Sequence, residues 1–131
     1  MNIHTDIAQH LHNQGIGVLG TSLFYDYLPD TNSGDFSISV YDTSGLEPDR
    51  YIPVDKPTFQ VFIRAKDYNT GRAKLAAVYD ALNRQKNIQL VPDGTYFYYI
   101  FAMSRGGSIG RNDAGWNEFS INFNTMVRED D

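Results

Sequence analysis

Apolar positions recur along this chain with two periods, and each period predicts an element. Ile3, Ile7, Ala8 and Leu11 stand at i, i+4, i+5 and i+8, one face of a short amphipathic helix over residues 2–13. Gly15 and Gly17 end it. In TSLFYDYLPD, Leu23, Tyr25 and Tyr27 alternate with Phe24, Asp26 and Leu28, a strand stopped by Pro29. The DTNSGD that follows has turn chemistry. FSISVY directs Phe36, Ile38 and Val40 one way and Ser37 and Ser39 the other, a strand with one wet face. Residues 42–57 hold three prolines and read as an irregular connection.

TFQVFIRA repeats the period of two, with Phe59, Val61 and Ile63 inward and Gln60 and Arg64 outward. Leu75, Val78, Tyr79 and Leu82 then follow a helical period, so a helix over Asn69–Lys86 is expected. Asp80 and Arg84 would pair on its outer side. VPDG is a turn. YFYYIFAMS is nearly continuous in apolar residues, which predicts a strand covered on both faces. WNEFSINFNTMV alternates once more, with Phe119, Ile121, Phe123 and Val127 inward and Glu118, Ser120, Asn122 and Asn124 outward.

The order αβββαββ, with more strands than crossover helices, predicts an α+β fold. Its expected form is a mainly antiparallel sheet of four to five strands with two helices packed on one face. The third and fourth strands either form a βαβ crossover or are separated in the sheet. With 131 residues, no repeat and no linker, residues 1–131 are read as a single domain.

Composition narrows the chemistry. A net charge of −5 gives no global attraction for nucleic acid. No cysteine is present, so disulfides, thiolate metal sites and cysteine nucleophiles are excluded. The polar N-terminus carries no secretory signal, and no apolar run is long enough to span a membrane. Synthesis in the cytoplasm is expected.

No catalytic residue is identified. Carboxylates are scattered over turns, and no G-x-S-x-G elbow occurs. His4, His10 and His12 are the only histidines. Their spacing does not converge on a metal, so they read as exposed helix residues, and no metal or cofactor is expected.

The segment SRGGSIGRNDAGW, residues 104–116, is the least ordinary. Gly107 and Gly110 give a G-x-x-G spacing, but no GK[ST] ending follows and a strand comes next, so a phosphate cradle is a poor reading. Two readings stay open. The segment is a plain hairpin connection of about ten residues, longer than a tight turn needs. Alternatively it is a mobile arm that contacts another subunit through Arg105, Gly106, Gly107, Ile109, Arg111 and Trp116, since Arg and Trp are frequent interface anchors.

Three stretches together resemble the tail terminator or minor capsid (head–tail joining) family of long-tailed bacteriophages: IHTDIAQHLHNQGIG, KPTFQVFIRAKDYNTGRAKLAAVYDALN and YFYYIFAMSRGGSIGRNDAGWNEFSINFNTMVRE. The resemblance implies a structural virion protein of the tail, with neither enzymatic activity nor cofactor. It implies a ring of self-associated subunits, commonly a hexamer, that stops tube polymerisation. The implied partners are the tail tube protein and the head–tail connector proteins, with DNA only passing through the lumen and no membrane involved. The alternative is a small soluble ligand-binding or enzymatic α+β domain.

Overall fold

The structure, a computed structural model, describes residues 3–28, 34–47 and 51–128. The elements are α1 (Ile3–Asn13), β1 (Leu23–Tyr25), β2 (Phe36–Leu46), β3 (Val54–Ala65), α2 (Tyr68–Leu82), β4 (Gln85–Gln89), β5 (Tyr96–Ala102), β6 (Gly107–Arg111) and β7 (Asn117–Arg128). The α+β class holds, but the sheet is larger than expected and mixed. Seven strands run in the order β1-β2-β3-β7-β5-β4, with β6 also paired to β7. Among the described strands only the β1–β2 pair is parallel.

Strand β7 organises this sheet. Along one edge it pairs with β3 from Val54↔Arg128 to Ala65↔Asn117. Its other edge is shared: β5 lies against Phe123–Val127, and β6 lies against Asn117–Ser120. β3 and β5 are therefore parallel to each other with β7 between them, which selects separation rather than a direct crossover.

The two strands absent from the sequence reading leave no alternation to detect. β4 is QKNIQ, with one apolar residue, Ile88. β6 is GSIGR, low in strand propensity, and is held by its ladder to β7. Residues 42–57 also differ from expectation, because β2 extends to Leu46 and β3 begins at Val54. Pro57 is tolerated within β3 because the ladder to β2 is already irregular nearby, with a register shift between Thr43 and Leu46. Gly45 sits in that shift at φ 81°. Its N–H donates to Thr58 Oγ1 at 3.0 Å, and the Thr43 and Thr58 hydroxyls bond to each other. The expected stop at Pro29 and most of the DTNSGD turn lie outside the described residues.

Helix α2 starts one residue earlier than expected, because Asp67 caps it: the carboxylate accepts from the Thr70 N–H at 3.1 Å. It ends at Leu82 rather than near Lys86. Arg84 takes φ 63°, and its N–H donates to the Ile100 carbonyl at 2.8 Å, which turns the chain into β4. Arg84 thus leaves the outer helical face on which it was expected to meet Asp80.

Both helices cover the same face of the sheet. Ile3, Ile7 and Leu11 of α1 and Leu75, Val78 and Leu82 of α2 join one core with Ile38, Val61, Phe97, Phe119 and Phe123. Phe59 stacks on Phe123 with ring centroids 4.8 Å apart. The opposite face carries rows such as Tyr41–Gln60–Asn122 and Thr43–Thr58–Asn124 across β2, β3 and β7. β5 adds Tyr99 and Phe101 to that face, their rings 5.4 Å apart. Phe101 is 38% exposed, so β5 is covered on one face only among the described residues, not on both.

Candidate assembly surface

The segment that follows β5 was expected to be either a long connection or a mobile arm. It is a short edge strand and a tight turn. β5 leaves its ladder with the Met103 N–H on the Asn122 carbonyl at 2.8 Å. The chain then bends at Gly106, φ 81°, where a Cβ would meet Ser120 O at 2.8 Å and Leu75 Cδ1 at 2.9 Å. Only glycine passes this close to both sheet and helix. Gly107 and Ser108 pair with Ser120 and Phe119, the register shifts, and Gly110 and Arg111 pair with Glu118 and Asn117. Ile109 is the extra residue of that bulge and is 58% exposed. Asn112 closes the turn, its Oδ1 accepting from the N–H groups of Ala114 and Trp116, each at 3.0 Å.

The six residues singled out from sequence do not form one cluster. Arg105 turns toward α2, its guanidinium 4.7 Å from the Tyr79 ring centroid. Arg111 lies at the far end of β6, where its Nε donates to Asn117 Oδ1 at 3.4 Å. The buried Asn117 in turn donates from Nδ2 to the Lys66 carbonyl at 3.2 Å. Trp116 packs near the end of β3, with Lys66 Nζ 5.4 Å and Arg64 Cζ 5.8 Å from its ring. Gly106 and Gly107 form the bend and the first rung between these two ends. The G-x-x-G glycines lie in a strand, as backbone of the ladder to β7.

Residues 10–128 match the family described as bacteriophage tail terminator protein. The chain belongs to that family.

It is thus a structural protein of a phage-type virion tail. No curated protein matches it. Among solved structures, a chain from the particle described as "Virion of native gene transfer agent (GTA) particle" superimposes with a TM-score of 0.72 at 16% identity, over 96% of this chain and 94% of that one. At that identity the likeness is one of fold.

In this tail terminator family member, sequence reasoning missed a groove beside Arg105. Arg72, Leu75, Ala76, Tyr79, Asp80 and Arg105 line a depression of about 170 Å³. It continues past Asn83 and Arg84. The available signal was the charge on the exposed helical positions, but only the bend at Gly106 brings Arg105 onto them.

The histidines are not exposed helix residues, because each ties α1 to a neighbouring segment. His4 is buried, with Nε2 3.0 Å from Asp26 Oδ2. His10 Nε2 donates to the Ala81 carbonyl at 3.3 Å, and His12 Nδ1 accepts from the Leu19 N–H at 3.2 Å. Burial holds the His10 pKa below its ordinary value, partly offset by the bond to Ala81. Among the described residues no group of three or more His, Asp or Glu side chains is placed to hold a metal. No helix among them is long and apolar enough to cross a membrane.

Proposed function

We propose that this protein closes the end of the phage tail tube as a ring of identical subunits, with six copies as the working number, and joins the tube to the head. The observation that carries the reading is the match to the tail terminator family over residues 10–128. Physical features support it. Both helices lie on one face of the sheet, which among the described residues leaves the β3–β7 part of the other face and the outer edges of β4 and β6 available for neighbours.

Threonine, asparagine and glutamine cross this face over β2, β3 and β7, although Ser37 and Ser39 on it, expected to be wet, are buried, and the chain carries a charge of −5. Such a surface suits a lumen that DNA crosses without adhering. The partners in this reading are further copies of the chain, the tail tube protein and the head–tail connector proteins. Arg105, Gly106, Gly107, Ile109, Arg111 and Trp116 belong to the contacting surface. The role is structural and uses no catalytic residue or cofactor. The protein is made in the host cytoplasm and ends in the virion.

Electron micrographs of particles assembled without the protein provide the test. Overlong tails, or tails that fail to join heads, are expected. Tails of normal length that join heads at the usual frequency would overturn the terminator role.

A further inference from the structure

Three arginines face the groove beside α2 without a carboxylate to answer them. Arg72 stands at one end, Arg105 lies over the Tyr79 ring, and Arg84 lines the continuation past the helix end. Among the described residues none of the three forms an ion pair, and neither does Asp80, the acid that shares the groove. Unpaired charge of one sign, gathered on a concave surface, raises the local potential for an anion. Arg105 is also held in place, its guanidinium 4.7 Å from the Tyr79 ring centroid, so less freedom is lost when it takes a partner. Between the arginines the floor is apolar, made by Leu75, Ala76 and the Tyr79 ring.

The spacing selects a kind of occupant. Arg72 and Tyr79 stand seven residues apart on α2, ~10 Å at the helical rise. Three residues of extended chain cover the same length, at ~3.3 Å each.

We infer that this groove binds an extended acidic segment of another protein. Two carboxylates three positions apart meet Arg72 and Arg105, and an apolar side chain between them rests on Ala76 and Tyr79. Guanidinium groups take carboxylates bidentately, and arginine clusters are a recurring reader of acidic motifs. Asp80 favours a peptide over a nucleic acid, because it repels phosphate but accepts a backbone N–H. The net charge of −5 also works against a polyanion. No described segment of this chain carries two carboxylates closer than five positions, so the required spacing comes from a different chain. The inference goes beyond the ring reading and does not depend on it, since one copy carries the whole groove.

The probe is a fluorescein-labelled peptide with Glu-Leu-Ser-Glu between glycine–serine ends, followed by anisotropy against the intact protein. Saturable binding is expected, and salt should weaken it. Arg72→Ala and Arg105→Ala should each weaken it roughly tenfold at an unchanged melting temperature. Arg128→Ala removes the same charge at the far end of β7, over the Tyr96 ring, and should change it by less than about twofold. Glutamine in place of both glutamates of the peptide should abolish binding.

No binding by the parent, or equal losses from Arg128→Ala and Arg105→Ala, would overturn the inference. Tighter binding of an oligothymidylate, removed by Arg105→Ala, would overturn it in favour of a nucleic-acid site. Parent oligomers that the peptide dissolves, and that deletion of Glu129, Asp130 and Asp131 also dissolves, would overturn it in favour of a second copy's own acidic run. The ring is decided separately, by sedimentation of the parent alone.

Discussion

Gly71 of α2 lies directly on the ring of Phe119: a Cβ at position 71 would sit 2.1 Å from Phe119 Cε1. The helix therefore rests on the first half of β7 at a distance that only a glycine allows. The Tyr68 ring, 5.4 Å from that of Phe119, closes the same contact from the helix start. Gly71→Ala gains helix propensity, ~1 kcal/mol, but forces either the helix or the ring to move, at about 1–3 kcal/mol. A net loss of stability is expected in urea denaturation. An alanine variant more stable than the parent would refute this packing.

Leu82 closes α2 and is fully buried in the shared core. Leu82→Ala should cost roughly 2–5 kcal/mol. The measurement is a denaturation midpoint, and an unchanged midpoint would show that the helix end is not held by the core.

His10 predicts a pH dependence. Its folded pKa lies below the ordinary 6.5, chiefly through burial. The folded state therefore binds fewer protons at this site than the unfolded state. The stability tied to neutral His10 is present above pH 6.5 and is lost as pH falls toward and through the folded pKa. His10→Gln should flatten the fall in melting temperature on the acid side of that point. The same slope in parent and variant would remove His10 as its source.

Arg105 and Arg111 are exposed, and neither carries the core. The double change Arg105→Ala and Arg111→Ala should leave stability within ~1 kcal/mol of the parent, as for most surface changes, while weakening assembly. A thermal melt and a sedimentation run on the same sample separate the two effects. Unimpaired assembly by the double variant would remove both arginines from the contacting surface.

The parts of the fold that show in the sequence are those whose burial has a period. Phe119, Ile121 and Phe123 alternate because one face of β7 meets the helices, and Leu75, Val78 and Leu82 repeat because α2 has one buried stripe. β4 and β6 have no such signature. Their pairing is decided by a neighbouring strand, and glycine or lysine in an edge position says little about a ladder. The extended hairpin was hidden for a related reason: prolines argue against a central strand, and the shift at Gly45 is a tertiary feature. Within the candidate assembly surface, residue types pointed to Arg105, Arg111 and Trp116. That Arg105 lies on Tyr79 while Trp116 lies by Lys66 depends on the bend at Gly106, which residue types alone do not encode.

The long register between β3 and β7 has a mechanical consequence. Ten residue pairs join these strands from Val54↔Arg128 to Ala65↔Asn117. A pull along the strand axis, such as one applied between the start of β3 and the opposite end of the sheet, loads these rungs side by side. They must then yield together, and the molecule is stiff in that direction. A pull across the sheet at β1, where only three pairs join it to β2, opens its rungs one after another. A single-molecule stretch between Tyr51 and Trp116 should therefore require more force than one that peels β1 from its edge.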